Sequence, residues 1–85
     1  MTYRILLETG VEKDTRRIPH RDRKRIDQVI LALAPNPRPH NSKKLTEKEG
    51  YRIRVGDYRI LYMIDDENKV VVIYRVKIRS EKTYK

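Results

Sequence analysis

The sequence lacks cysteine: none occurs among its 85 residues. Neither disulfides nor a zinc site with cysteine ligands can therefore hold the chain together, and nothing indicates an oxidising compartment. It also lacks a run of about 18 apolar residues that could span a bilayer, and its N-terminus lacks the order of basic, apolar and small residues that marks a signal peptide. We therefore expect a cytoplasmic protein with no membrane contact.

Glycine, histidine and clustered acids are scarce as well. The three glycines stand singly, so no glycine-rich phosphate-binding loop is present. His20 and His40 lie in a helical segment and a proline-rich connector, away from the arginine-rich strands, and an ordinary histidine acid/base pair is not expected. Asp65, Asp66 and Glu67 form one acidic run, which is typical of a solvated turn. The sequence therefore predicts neither a metal nor a cofactor.

Basic residues, by contrast, are abundant. The chain carries 21 Lys and Arg against 12 Asp and Glu, which gives a net charge of +9. Such a surplus on a small protein is typical of nucleic-acid binding, although good solvation or an acidic protein partner would also account for it. Hydrophobic residues make up 38% of the sequence, enough for one modest core. We therefore expect residues 1–85 to form a single domain.

A β-hairpin is the clearest local pattern. Apolar residues at 51, 53 and 55 alternate with Arg52 and Arg54, which is the period of a strand with one buried and one solvent-exposed face. Gly56 and Asp57 follow as a two-residue turn, in which glycine supplies the positive φ that a primed turn needs. This turn pairs Arg54 with Arg59. Three arginines then share one face of the hairpin.

The rest of the chain predicts an α+β fold. Ile26, Val29, Ile30 and Leu33 have the i, i+3, i+4, i+7 spacing of an amphipathic helix, and three prolines follow it as a stiff connector. The predicted strands are 2–8, 51–55, 58–64 and 69–76, and the predicted helices are 11–18 and 20–34. The order β-α-α-β-β-β predicts two helices packed on a small, mostly antiparallel four-stranded sheet, with the last strand central because Val70–Ile73 is apolar on both faces.

The register of the last two strands depends on their turn. A five-residue turn would pair Ile64 with Val70 and Arg59 with Arg75, whereas a four-residue turn would separate the two arginines. We favour the first alternative, which puts all four strand arginines on one face. On that register the residues that face the helices are Val70, Val72 and Tyr74. The resulting cationic patch consists of Arg52, Arg54, Arg59 and Arg75. The alternative is that these arginines only form a solvent-exposed face of the sheet and bind no ligand.

These features resemble a known family. Lys43-Lys44-Leu45 precedes the hairpin, and Tyr74-Arg75-Val76-Lys77 leads towards Tyr84-Lys85 at the end of the chain. With the order of elements, they make nearly the whole chain resemble the RelE branch of the RelE/ParE superfamily, the toxins of type II toxin–antitoxin pairs. The resemblance implies a RelE-like fold and a ribosome-dependent endoribonuclease that cuts mRNA in the decoding site. It also implies an acidic, partly disordered antitoxin as partner.

The same resemblance implies roles for individual residues. The catalytic set that it implies is Arg52, Arg54, Arg59, Arg79 and Tyr84. The first three would clamp the scissile phosphate, Arg79 would act on the leaving oxygen, and Tyr84 would stack on a base or accept the proton of the attacking 2′-hydroxyl. Further RNA contacts are expected from Lys43, Lys44, Arg75, Lys77, Lys82 and Lys85.

The sequence departs from the family pattern near its end. Many relatives have a histidine before the C-terminal arginine, where this chain has Ile78, and the spacing from Arg79 to Tyr84 is one residue longer than the common form. A weakly active or inactive toxin is therefore one alternative. Two others are a ParE-like toxin that inhibits DNA gyrase and cuts nothing, and an RNA-binding module without catalysis.

Overall fold

The described part of the chain follows the order β-α-α-β-β-β-β. A computed structural model of the protein describes residues 2–46 and 49–78. The elements are β1 Arg4–Leu7, α1 Thr9–Arg16, α2 His20–Ala32, β2 Ser42–Lys44, β3 Tyr51–Val55, β4 Tyr58–Asp65 and β5 Val70–Ile78. The strands form one sheet in the order β1-β5-β4-β3-β2. Among these residues, no helix has the length and apolar character that crossing a membrane requires.

The sheet is larger than predicted and is mixed. It has five strands rather than four, and β1 runs parallel to β5 while the other pairs are antiparallel. The additional strand is β2, which pairs Ser42 with Ile53 and Lys43 with Arg52. Its three residues are all polar, so the sequence shows no apolar alternation that would predict a strand there. Backbone pairing with β3 holds these residues in the sheet. The α+β class and the two helices between the first and second predicted strands are as predicted.

The core lies between the helices and one face of the sheet. Ile26, Ile30 and Leu33 are buried, as the predicted amphipathic pattern requires, and Val29 packs against them. The other core residues are Val11, Ile18, Ile53, Val55, Ile60, Tyr62, Val71, Ile73 and Val76. Burial of these side chains is what sets the helix-facing side of every long strand.

Element boundaries differ from the prediction at the first junction. The helix α1 begins at Thr9, two residues before the predicted start, and β1 covers four residues instead of the predicted seven. The parallel ladder explains this limit, because the amides of Arg4 and Glu8 donate to the carbonyls of Lys69 and Ile73 at its two ends. The helix α2 ends at Ala32, two residues before the predicted end, and β5 extends to Ile78.

The predicted β4–β5 register is wrong. Asp65 rather than Ile64 lies opposite Val70, so the turn contains four residues instead of five. Asn68 closes it by donating from its backbone amide and its side-chain Nδ2 to the two carboxylate oxygens of Asp65, at 3.1 and 2.9 Å. Lys69 then adopts a φ of 56°, a left-handed conformation that the alternating pattern does not reveal.

A β-bulge changes the faces further along β5. The register shifts between Leu61 and Tyr62, so that Tyr62 pairs with Ile73 while Leu61 pairs with Arg75. The residues that face the helices are therefore Val71, Ile73 and Val76, and not Val70, Val72 and Tyr74 as predicted. Arg59 lies opposite Lys77 rather than Arg75. Because a bulge adds one residue to one strand, Arg75 nevertheless returns to the face that carries Arg59.

A polar network fastens the proline-rich connector to the sheet. Arg38 donates from two nitrogens to the carboxylate of Asp66, at 2.8 and 3.3 Å, and from Nε to the hydroxyl of Tyr51 at 3.0 Å. Tyr3 donates to the same Asp66 at 2.6 Å. The hydroxyl of the buried Tyr62 donates to the Pro37 carbonyl at 2.8 Å. The connector is thus held by side chains from β3, β4, the last turn and the start of the chain.

This network predicts a pH dependence of stability. The hydrogen bonds from Arg38 and then from Tyr3 lower the pKa of Asp66 to about 2. Because the folded pKa is below the unfolded value, the contribution of Asp66 is present above about pH 4 and is lost as the pH falls towards 2. We expect the free energy of unfolding of an Asp66→Asn variant to fall less over this interval than that of the unchanged protein. Urea titrations between these pH values measure the difference, and parallel curves would contradict the assignment.

Candidate nucleic-acid interface

The sheet has a basic face on the side away from the helices, which we name the open face. Because Ile53, Val55, Ile60 and Val76 point into the core, their alternating neighbours lie on the other side. Its basic members on β2 to β5 are Lys43, Arg52, Arg54, Arg59, Arg75 and Lys77. They form two rows across the strands. One row is Arg54–Arg59–Lys77, and the other is Lys43–Arg52–Leu61–Arg75.

Several of these cations lie directly opposite one another across the strands. Arg59 lies directly between Arg54 on β3 and Lys77 on β5, and like charges in such cross-strand pairs destabilise a sheet by roughly 0.2–1 kcal/mol each. Within residues 2–46 and 49–78, Lys43, Arg52, Arg59 and Lys77 make no ion pair. Their positive potential therefore remains available to an anion.

Arg59 is the most constrained of these side chains. It is partly buried, and its Nε is a buried donor that no acceptor in the described residues satisfies. A buried donor without a partner costs about 1–3 kcal/mol. A phosphate over the three-cation row would offset the repulsion between neighbours, and Nε would become available to it if the Arg59 side chain turned outward. Guanidinium groups bind phosphate in this way through paired N–H donors.

The open face also contains a shallow depression beside β2. Asn41, Lys43, Arg52 and Arg54 line it, and its volume is about 240 Å³. This is smaller than the roughly 300–1,000 Å³ of pockets that enclose small ligands. A basic depression of this size on an extended face suits one unit of a chain that lies across the sheet, such as a nucleotide of a single strand.

Two residues that sequence reasoning missed shape this face. Asp14 on α1 accepts a hydrogen bond from the Val76 amide at 2.9 Å, and the same oxygen lies 3.5 Å from Nε of Arg75. Since β1 pairs with β5 only as far as Ile73, this carboxylate covers part of the free edge of β5 and orients Arg75. No sequence signal identifies Asp14, because an acid in a short basic helix is equally typical of a solvated position.

Tyr74 is the second of these residues. It stands at the bulge of β5, and its buried hydroxyl has no hydrogen-bond partner in the described part of the chain. That hydroxyl lies 3.4 Å from the place that a Cβ on Gly50 would occupy. Because β4 separates β5 from β3, the ring must cross β4 to reach that point. Gly50 has a φ of 125°, so both its backbone and its close approach to this ring favour glycine.

The predicted site residues divide into three groups. The structure brings together Lys43, Arg52, Arg54, Arg59, Arg75 and Lys77 on the open face. Lys44 pairs with Tyr51 and so alternates to the opposite side of β2. The predicted residues Arg79, Lys82, Tyr84 and Lys85 lie outside the described residues. In the part that is described, no group of three or more His, Asp or Glu is arranged to hold a metal.

The hairpin that carries the arginines is fixed to α2. The hydroxyl of Tyr58 donates to Asp22 at 2.9 Å, and burial together with this hydrogen bond raises the pKa of Tyr58. The turn residue Gly56 has the positive φ, 60°, that the sequence predicts. The predicted pairing of Arg54 with Arg59 is also confirmed, and Val55 lies opposite Tyr58. Arg54 and Arg59 therefore stand on a hairpin that a hydrogen bond ties to α2.

Comparison with known proteins connects this architecture to a family. A family model described as the ParE toxin of type II toxin–antitoxin systems, parDE, matches residues 5–83 of the chain. Toxin RelG of Mycobacterium tuberculosis is 31% identical over 83 residues, which are 95% of this chain and 95% of that protein.

Solved structures show the same fold. A chain in the crystal structure of the toxin–antitoxin complex RelBE2 from Mycobacterium tuberculosis superimposes with a TM-score of 0.83 and 30% identity, over 93% of this chain and 100% of that one. For the archaeal RelE–RelB complex from Pyrococcus horikoshii the TM-score is 0.80 and the identity 29%, over 93% and 97% of the two chains.

Proposed function

This chain belongs to the RelE/ParE superfamily, the toxins of type II toxin–antitoxin systems, and we propose that it is a ribosome-dependent endoribonuclease that cuts mRNA in the decoding site. The observation that carries this proposal is the row Arg54–Arg59–Lys77, in which Arg59 lies between two further cations and has a buried Nε without an acceptor among the described residues. A binding protein that made no use of a phosphate would gain nothing from this repulsive arrangement.

The reaction that fits this face is an internal transfer at phosphorus. The 2′-oxygen of one nucleotide attacks its own 3′-phosphate, and the bond from phosphorus to the 5′-oxygen of the next nucleotide breaks. The products are a 2′,3′-cyclic phosphate and a 5′-hydroxyl. Negative charge accumulates on the non-bridging oxygens as the new bond forms. Donors that are already oriented towards those oxygens stabilise this transition state more than the ground state.

Individual residues take different parts in this proposal. Arg59 binds a non-bridging oxygen through its guanidinium group, Arg54 and Lys77 neutralise the growing charge from either side, and Arg52 holds the neighbouring phosphate in the depression next to Lys43. The two proton transfers fall to Arg79 and Tyr84, the residues that the family resemblance assigns. Tyr84 would accept the proton of the 2′-hydroxyl, and Arg79 would assist departure of the 5′-oxygen.

The chemistry of the cut ends tests this proposal. Messenger RNA from a purified translation reaction that contains the protein is expected to yield upstream fragments with a 2′,3′-cyclic phosphate. The downstream fragments should carry a 5′-hydroxyl and accept phosphate from polynucleotide kinase without prior phosphatase treatment. Fragments with 5′-phosphates would contradict the transfer mechanism, and the absence of any new ends would contradict nuclease activity.

Inhibition of DNA gyrase is a second candidate function, because the matching family model is that of the ParE toxins. Such an inhibitor would act through protein contact and would not need the arginine row. A supercoiling assay with purified gyrase distinguishes the two functions. On our proposal, supercoiling is unaffected at protein concentrations that cut mRNA.

The partner that we propose is an acidic antitoxin. The related structures include complexes of RelE with RelB, and a net charge of +9 favours an acidic chain that covers the basic face. Addition of such an antitoxin is expected to stop mRNA cleavage, whereas an equally acidic unrelated protein should not. Equal inhibition by both would show that charge alone, and not a specific partner, blocks the face.

A further inference from the structure

Asp14 occupies an unfavourable position in its own helix. It lies in the last turn of α1, where the helix macrodipole favours cations and disfavours an acid. Its side chain is only 18% exposed, and a carboxylate withdrawn from water to this extent costs free energy unless hydrogen bonds compensate for it. Neither the helix nor solvation therefore accounts for an aspartate here, and its contacts with the sheet are what stabilise it.

The contacts of Asp14 lie at a free edge of β5. Because β1 pairs with β5 only as far as Ile73, the residues that follow have β4 on one side and no strand of the described chain on the other. There Oδ2 of Asp14 accepts a hydrogen bond from the Val76 amide at 2.9 Å and lies 3.5 Å from Nε of Arg75. A hydrogen bond to a carboxylate is stronger than one between neutral groups. Asp14 thus supplies a side-chain acceptor where the backbone ladder with β1 has ended.

This end of β5 carries two cations of the open face. Val76 is 3% exposed and packs in the core, while its neighbours Arg75 and Lys77 alternate to the open face, where Lys77 lies opposite Arg59. The stretch follows the bulge of β5, and a bulge bends its strand and interrupts the ladder. The position of the Val76 backbone therefore determines where both cations stand relative to Arg59.

From this geometry we propose that Asp14 is a positioning residue for the RNA-binding face. Its hydrogen bond to the Val76 amide fixes the end of β5, so that Arg75 and Lys77 contact phosphates together with Arg59. The inference rests on the proposed binding of RNA to the open face. Asp14 itself lies on the helix side, and its negative charge would repel a phosphate. It acts by holding the strand, which lowers the entropy that the two cations lose when RNA binds.

Two substitutions at Asp14 separate the hydrogen bond from the charge. Asp14→Asn removes the charge but keeps a side-chain oxygen that accepts from the Val76 amide, whereas Asp14→Ala removes both. The measurement is the salt dependence of binding to a single-stranded oligoribonucleotide, in which each phosphate contact contributes about 0.7 to the slope of log affinity against log salt. Because the two variants have the same net charge, a difference between them reports the hydrogen bond. We expect the slope of Asp14→Ala to be smaller by roughly 0.7–1.4, the loss of one or two contacts.

Two further backgrounds show whether Asp14 acts through these cations. In a chain that carries Arg75→Gln and Lys77→Gln, the two Asp14 variants should have equal slopes, because the contacts that Asp14 positions are already absent. In a chain that carries Lys43→Gln, on β2 at the far edge of the sheet, the difference between them should persist. Thermal unfolding verifies that every variant is folded.

Equal slopes for Asp14→Ala and Asp14→Asn in the otherwise unchanged chain overturn the inference, as does an unchanged protein that fails to bind the oligonucleotide. A difference that survives Arg75→Gln and Lys77→Gln also overturns it, because Asp14 would then support the fold as a whole. These outcomes are separate from those of the proposed function, since oligonucleotide binding needs neither a ribosome nor cleavage. The slope difference can exist in a protein that cuts no mRNA, and mRNA can be cut by a protein in which both Asp14 variants bind alike.

Discussion

Replacing Arg59 by alanine is expected to lower the rate of mRNA cleavage by roughly 10²–10³-fold, the effect of removing one oriented donor from a developing anion. Arg59 lies at the centre of the row Arg54–Arg59–Lys77, and its buried Nε has no partner within the described residues. The substitution removes the hydrogen-bond donor and also the electrostatic repulsion between Arg59 and its neighbours Arg54 and Lys77. Folding stability should therefore be retained or increased slightly while catalysis is lost.

Single-turnover cleavage on ribosomes stalled with an empty decoding site measures this effect. Arg16→Ala is the matched control, because Arg16 is an exposed arginine of α1 and is not part of the open face. An Arg59→Lys variant keeps the charge but loses the planar fork, so it should retain only part of the rate. Full activity of Arg59→Ala would remove this residue from the catalytic machinery.

Replacing Ile73 by alanine should have the largest effect on stability. Ile73 is 0% exposed, on the helix-facing side of β5, between β1 and β4. Truncating such a side chain in a packed core typically costs about 2–5 kcal/mol, because it combines lost burial with a residual cavity. Since the whole stability of a small domain is roughly 5–15 kcal/mol, this change threatens the folded state.

A neighbouring leucine provides the comparison for Ile73. Leu7 pairs directly with Ile73 across the parallel ladder but is 59% exposed, so Leu7→Ala should cost much less. Urea unfolding of both variants measures the difference in free energy. Similar losses would show that burial is not what distinguishes the two positions, and that the helices do not cover β5 as described.

Local patterns predicted the hairpin and the longer helix correctly, because each depends on residues that are close in sequence. Gly56 forces its turn through a positive φ, and the turn then fixes the pairing of Arg54 with Arg59. The β4–β5 register was not predictable in this way. It depends on Asn68 closing a four-residue turn and on a bulge after Leu61. Neither feature produces a periodic pattern of apolar residues that could be recognised in the sequence. The polar strand β2 forms only because β3 offers it an edge.

In the candidate site, too, only the features that depend on nearby residues were predictable. Alternation, together with the turn at Gly56 and Asp57, correctly placed Arg52, Arg54 and Arg59 on one face. Arg75 is on that face as well, although the pairing predicted for it with Arg59 is wrong, because the shorter turn and the bulge together restore its side. Asp14 illustrates what sequence reasoning could not supply. Its contact with the Val76 amide joins residues 62 positions apart and depends on how α1 packs along β5.

Primer extension on an mRNA in a purified translation system tests the central claim most directly, with the unchanged protein and the Arg59→Ala variant side by side. We expect new 5′ ends inside the codon at the empty decoding site with the unchanged protein, and none with the variant. Intact mRNA under conditions in which the unchanged protein binds ribosomes would contradict it and would leave a binding protein without nuclease activity.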